Sequence, residues 1–572
     1  TRWLQGRFRD ASDLFNVEVM AGEESKIVLE PTTEGMGEVL ISVEVVLGEN
    51  PRVSRVVLRS PRDELTVMHY FNEQRDVELR DVLRQGGREL RTAHSVTHDG
   101  WLFLGGATRV PAPACIFQFA LLFGTLVGCC TPTRSPFSIP SVTGEFKMLR
   151  KCMQISVCFG FLLACSSVPA EEWTQFRGSD YGRTSQTQVN ELWDASTVAW
   201  KTPLPGRGAS SPVLFGENIY LTAYTGYGTT HENPGSESDL ERHLFCIAAA
   251  DGSVVWKNTV PTTSPKNPYN TWGVGKHGFA SSSVAIDKTG IYVFYGATGA
   301  LAFDHAGKEL WRTDCGKGVH VFGAGNSPVL YKDTVIINAS VECGELIALN
   351  KSDGSVVWRQ SGIDRSWNTP VIYQSPGGAT ELALSTQGKI LAFNPDSGEP
   401  IWNCKGIDDY ICPSITVQDG ILYAIGGRSN KTIAVKSGGE GDVTQSHIVW
   451  QLNKGSNVCS PVYHDGHLYW SKEQKGVVYC VDVKSGEVVY EKRLTPDSGL
   501  IYASPLLASG RLYYVSREKG IYVVAAKPQF ELLSHTTIAG DDSIFNASPV
   551  PLPGGAVLLR SDKFLYRMKP AD

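Results

Sequence analysis

The chain has no excess of positive charge. Its 53 Lys+Arg stand against 59 Asp+Glu, a formal charge of −6, and no basic stripe is interleaved with aromatics. Nucleic acid is therefore given no electrostatic footprint and is not expected as a partner. The apolar stretch Cys115 to Cys130 is short for a membrane-spanning helix. No Cys-x-x-Cys-His haem site is present, and no zinc-ligand or Ser/His/Asp spacing stands out. From residue 171 onward the cysteines number an odd seven, at 246, 315, 343, 404, 412, 459 and 480. Buried free thiols account for them better than a disulfide framework, and Cys412 with Cys459 is the one pair to test.

Glycine is plentiful, 58 residues, as a chain with many turns requires. Several of these glycines open a repeated five-residue unit. It reads Gly252-Ser-Val-Val-Trp256, Gly307-Lys-Glu-Leu-Trp311, Gly354-Ser-Val-Val-Trp358, Gly398-Glu-Pro-Ile-Trp402 and, with tyrosine, Gly486-Glu-Val-Val-Tyr490. An apolar run and a polar turn precede each glycine in most copies. That order describes a hairpin, with the glycine at positive φ. One hairpin cannot bury its own face, so the aromatics at 256, 311, 358, 402 and 490, with Trp450, are expected to dock on neighbouring units.

A second signal interleaves with the first: Ser211-Pro-Val, Ser282-Ser-Val, Ser327-Pro-Val, Thr369-Pro-Val, Ser414-Ile-Thr, Ser460-Pro-Val, Ser504-Pro-Leu and Ser548-Pro-Val. Successive positions differ by 71, 45, 42, 45, 46, 44 and 44. Two hairpins per period, at this length, predict an all-β, eight-bladed β-propeller of four-stranded antiparallel blades. The last blade, from Ser548, runs out of chain before its outer strand. Ser196-Thr-Val-Ala-Trp200 carries the blade-ending aromatic and is expected to supply that strand, closing the ring. The 71-residue gap holds two polar inserts, Thr225–Arg242 and Pro261–His277, read as loops.

Residues 1–147 lie outside the repeat and carry no fold signature. A strand is expected within Gly37–Leu47 and a helix over the charge-rich stretch Asp63 to Arg91. Met148-Leu-Arg-Lys151, the apolar Ile155 to Ala164 and Val168-Pro-Ala170 have the layout of a secretory signal peptide. The division expected is therefore 1–147 as an upstream extension, 148–170 as a signal peptide and 171–572 as the propeller. The rival is a genuine N-terminal region anchored by Cys115–Cys130. Leu162-Leu-Ala-Cys165 resembles a lipoprotein processing site, which makes Cys165 a candidate lipid anchor and the periplasm or cell envelope the expected location.

Trp173-Thr-Gln-Phe-Arg-Gly178, the Ala302-Phe-Asp304, Ala348-Leu-Asn350 and Ala392-Phe-Asn394 steps and the Gly-x-x-x-Trp endings together resemble the pyrroloquinoline-quinone-like (PQQ-like) repeat propellers. That family includes quinoprotein dehydrogenases and the envelope assembly lipoprotein BamB. The resemblance implies either a non-catalytic binding or scaffold propeller, with an envelope protein or small ligand as partner, or a dehydrogenase using PQQ and calcium. In the dehydrogenases a vicinal Cys-Cys packs on the quinone; residues 171–572 contain none, which favours the binding reading with no cofactor and no metal.

In this strand order the segments before each anchor gather at one mouth of the central channel. The candidates there are Arg207, His277, His320, Arg365, Trp367, Tyr410, Asn457, Tyr502 and Phe545, with Arg428, Lys472 and Arg517 further out. Aromatic, basic and amide groups converging on a concavity suit a ligand or a partner. No catalytic residue is assigned.

Overall fold

The computed structural model describes five strands between residues 15 and 69, then residues 172–262, 269–271, 273–538 and 540–571. The chain divides into two units at residue 143. In the first, Phe15–Met20, Lys26–Pro31, Ser42–Leu47, Val53–Arg59 and Leu65–His69 form an antiparallel meander in sequence order. The expected strand within Gly37–Leu47 is present as Ser42–Leu47. The expected helix from Asp63 is not: Leu65-Thr-Val-Met-His69 pairs with Val53–Arg59 along its whole length, because an apolar alternation next to a strand edge outweighs the charges that follow. The rest of that stretch, the signal-like segment and Cys165 lie outside the described residues. No helix of the described residues is long and apolar enough to cross a membrane.

The second unit is the expected ring. Blades 1 to 7 occupy residues 213–261, 285–313, 329–361, 371–405, 416–452, 462–493 and 506–536, each with four antiparallel strands. Blade 8 takes three strands from residues 550–568 and its outer strand from Val198–Pro203, which pairs with Phe564–Met568. The apolar layers lie between blades. Val213, Tyr220 and Leu244 of blade 1, for example, pack on Ile286, Ile291 and Leu301 of blade 2.

The anchors explain themselves at the centre. Each backbone N–H donates to the hydroxyl of the next blade's anchor: Ser211 to Ser283 (2.9 Å), Ser283 to Ser327 (2.9 Å), Ser327 to Thr369 (3.0 Å) and Thr369 to Ser414 (3.1 Å). Ser414 to Ser460, Ser460 to Ser504, Ser504 to Ser548 and Ser548 back to Ser211 follow, each at 3.0 Å. The eight bonds make a closed circle. They also correct the register in blade 2: its anchor is Ser283, not Ser282, so the true separations are 72 and 44. Ser282 instead donates to the Asn326 carbonyl.

At the rim, the repeated glycine and aromatic form one device across two blades. The Trp358 indole donates to the Pro395 carbonyl (3.1 Å) and lies over Gly398, where a Cβ would fall 2.5 Å from the ring. Trp311 sits likewise on Gly354, Trp256 on Gly307, Trp450 on Gly486 and Trp200 on Gly252. Each glycine is thus the seat of the preceding blade's aromatic. Two blades depart from this. Blade 5 has no glycine hairpin; its chain detours so that Gly441–Asp442 adds a parallel strand to blade 4 at Trp402 and Asn403. Trp402, 1% exposed, turns inward and donates to Glu381 Oε2 (2.9 Å). Tyr490 meets Phe530 edge-on, because blade 7 also lacks the glycine.

Gly398→Ala tests the device against a control. Gly398 has φ +75 and no room for a methyl; Gly510 has φ +69 and open space. Gly510→Ala is expected to cost about 1 kcal/mol from the backbone alone. Gly398→Ala adds the clash and is expected to cost roughly 2–4 kcal/mol by urea denaturation. Equal losses would mean that the aromatic does not hold the blades together.

Candidate functional site

The two ends of the channel differ. One is closed by the segment that begins at Trp173. Its backbone bonds to Leu214 of blade 1 and, through Thr174, to Ile286 of blade 2. Gly182 and Thr184 bond to Leu507 of blade 7, and Tyr181 donates to the Ile372 carbonyl of blade 4. Arg177, 4% exposed, donates through Nη2 to the carbonyls of Pro461 at blade 6 and Tyr181, and through Nη1 to Thr416 Oγ1 of blade 5 (3.4 Å). Burial pulls its guanidinium down to about 9. The strip Trp173–Thr184 therefore ties six blades together and plugs the channel. From there Trp193 stacks on Tyr513 of blade 7 (4.5 Å) on the way to the closing strand.

The other end is the mouth, where loops preceding the blades bond to loops between second and third strands. Arg207 pairs with Asp562 (2.7 Å). The Tyr410 hydroxyl accepts from Arg428 Nε (3.2 Å) and Asn457 Nδ2 (2.9 Å). The Asn457 N–H donates to Glu473 (3.0 Å). The Arg517 guanidinium lies 4.5 Å from the Tyr502 ring centre and donates to the Lys276 carbonyl (2.8 Å).

Within this mouth four aromatic groups form one patch. Trp367 meets His320 (4.8 Å), Phe322 (5.9 Å) and Tyr410 (5.8 Å) edge-on, and Phe322 meets Tyr410 (5.3 Å). The Trp367 indole donates to the Gly323 carbonyl (2.7 Å), which fixes its plane. Arg428 lies 5.3 Å from the Tyr410 ring centre, and Arg365 is exposed nearby enough to depress His320 further after burial has done most of the lowering. Burial also raises the Tyr410 hydroxyl.

The nine candidates thus separate. His320, Trp367, Tyr410 and Asn457 are joined; Tyr502 goes with Arg517; Arg207 is held by Asp562. Trp367 and Phe545 are buried, and Phe545 stacks on Tyr566 (6.3 Å), so Phe545 offers packing rather than an open surface. His277 turns to Ser281, Nδ1 to Oγ 2.6 Å, the geometry of a nucleophile and base. Burial pulls that imidazole down to about 4, leaving it a poor base at neutral pH. Phe322, Glu473 and Asp562 were missed from the sequence. Their position after an anchor-preceding turn or in a short second-to-third-strand loop is the only signal that marks them. All seven cysteines from 246 onward are free, Cys412 and Cys459 included, and burial raises both of those thiols to about 12.

A ring of eight blades, plugged at one end and lined with aromatic and basic groups at the other, defines a propeller with a blind central mouth. A sequence profile described as outer membrane protein assembly factor BamB matches residues 240–409 and 440–529. That match, together with the eight-bladed fold, supports a place among the PQQ-like repeat propellers. Among solved structures it is similar to BamB from Moraxella catarrhalis, at TM-score 0.46 and 14% identity over 65% of this chain and 97% of that one. A europium-containing methanol dehydrogenase matches at TM-score 0.48 and 12% identity, over 71% of this chain and 92% of that one. The quinohemoprotein alcohol dehydrogenase from Comamonas testosteroni matches at 0.50 and 12%, over 71% and 82%. At such identities the likeness is one of fold alone. Comparison with curated protein sequences finds no match.

Proposed function

We propose that the chain is an exported, non-catalytic propeller of the cell envelope that holds a protein or small ligand at its mouth. The observation that carries this reading is the aromatic patch of His320, Phe322, Trp367 and Tyr410 beside Arg365 and Arg428, at the unplugged end. Fixed aromatics with arginines at a concavity are what binding hot spots use. The signal-like segment 148–170 supports export, with a lipid anchor at Cys165 as a variant of it. The family profile, described as an outer membrane assembly factor, supports an envelope role.

The donor set at the mouth does not fit a calcium-supported quinone. Among the described residues no three His, Cys, Asp or Glu side chains converge where a metal ion could sit. Asp562 is taken by Arg207, Glu473 by the Asn457 N–H, and Asp409 by the N–H groups of Tyr410 and Arg428. No redox step is assigned to these residues.

The test is capture from envelope extracts with paired variants. Tyr410→Ala, Tyr502→Ala and Arg365→Ala are each expected to weaken capture by about 2 kcal/mol, near 30-fold, with little change in melting temperature. Val357→Ser, on the exposed outer strand of blade 3, is the control and should capture normally. Trp367→Ala is set aside from the group because its burial couples binding to stability. Normal capture by all three mouth variants would overturn the reading. A quinone-type absorption spectrum after incubation with PQQ and calcium would favour a dehydrogenase instead.

A further inference from the structure

Beside the aromatic patch, and sharing His320 with it, a cavity lies among the loops of blades 1 to 3. Its wall includes Arg242, Phe279, Tyr295, Gly296, His320 and Glu342. The Tyr295 hydroxyl and Glu342 Oε2 both meet no protein partner, although Tyr295 is 3% and Glu342 5% exposed. Two such groups on one wall are unusual, since an unsatisfied buried polar atom costs about 1–3 kcal/mol. The placement is tight: a Cβ at Gly296 would lie 3.1 Å from Glu342 Oε1. Arg242 is fixed by the Phe279 carbonyl (3.2 Å) and Thr298 Oγ1 (3.0 Å), and its guanidinium carbon lies 5.8 Å from the Tyr295 ring centre.

The room available is about 30 Å3 for water-sized centres. One water needs roughly 10–15 Å3 by that measure, so the cavity takes a group of two or three heavy atoms. We infer that this cavity binds the carboxylate of a small organic acid, with Arg242 supplying the positive charge and Tyr295 and Glu342 each donating a hydroxyl hydrogen. A cation is disfavoured by the buried guanidinium. A carboxylate offers acceptors to all three groups, and charge-assisted bonds of this kind are the strong ones.

Glu342 can donate because burial raises its carboxyl to about 8, so it is largely protonated at neutral pH. The sign of the pH effect follows. The bound anion favours the protonated carboxyl, so affinity holds below that value and falls as pH rises through it, by up to tenfold per unit.

The experiment is calorimetric titration of the full chain with acetate, with methylammonium chloride as the cationic counterpart. Saturable acetate binding is expected at pH 6.5, weakened about tenfold or more at pH 9. Glu342→Gln keeps a donor and should bind acetate with that pH dependence flattened. Tyr295→Phe should bind about tenfold more weakly at unchanged melting temperature. Four results overturn the inference: no saturable acetate binding, preference for methylammonium, Tyr295→Phe binding like the parent, or Glu342→Gln retaining the parent's pH profile. None of these bears on capture at the mouth, because the residues varied here, Tyr295 and Glu342, are not among those varied there.

Discussion

Deletion of residues 190–201 is expected to convert a closed ring into an open, self-associating one. Val198–Pro203 is the outer strand of blade 8, in register with Phe564–Met568 from Met568↔Val198 to Phe564↔Pro203. Without it that strand exposes its backbone edge, a template for pairing with another chain. The same segment joins blade 8 to blade 1. Trp200 sits over Gly252 and donates to the Ala249 carbonyl (3.1 Å), while the Lys201 ammonium lies 3.6 Å from the Phe564 ring centre. Trp193, fully buried against Tyr513, is lost as well. Removing one buried tryptophan costs about 3–5 kcal/mol, so the deletion should cost at least roughly 5 kcal/mol. Size-exclusion chromatography and thermal melting check this. A deleted protein that elutes and melts like the parent would mean that the ring is closed by other contacts, such as the Ser548–Ser211 bond alone.

The second large effect is expected at the plug. Arg177→Ala removes the charged donor from both the Tyr181 carbonyl and the Pro461 carbonyl, the latter keeping only the Thr416 hydroxyl (2.7 Å). Hydrogen bonds from a charged donor contribute about 1.5–3 kcal/mol each, so the loss should be roughly 3–5 kcal/mol in urea denaturation. Arg177→Lys keeps the charge but not the planar fork that spans two blades' worth of acceptors, and should recover only part of it. Arg177→Met fills much of the volume and takes no charge out of water, so it is expected to lie between Lys and Ala. If Arg177→Ala falls within about 1 kcal/mol of the parent, the plug is not part of the cooperative fold.

The site was less legible than the ring. Trp367 and Tyr410 were visible as large groups before blade starts, and they do meet. Phe322 was not, because nothing in Val321-Phe322-Gly323 distinguishes a mouth aromatic from a loop residue. Phe545 occupies the equivalent stretch before blade 8 yet packs on Tyr566. Which way a loop side chain turns depends on its neighbours across the ring, and those lie up to hundreds of residues away: Arg207 finds Asp562 at a separation of 355. Glu342 and Tyr295 carry no motif at all; only their shared cavity sets them apart.

The sequence alone determined the repeat, the number of blades, the borrowed outer strand and the fixed spacing of glycine and aromatic in each hairpin. These rest on local periodicity: a strand's alternation, a turn's glycine and a spacing of about one blade are written in consecutive residues. Tertiary structure decided the rest. It moved the blade 2 anchor to Ser283, because hydrogen bonding around the circle fixes register to one residue. It sent Trp402 inward, because the next blade brings a detouring strand instead of a glycine seat. It made Trp173–Thr184 a plug, because eight inner strands leave a hole whose unpaired carbonyls and apolar walls need covering, and the segment just before the first blade is the one that reaches them.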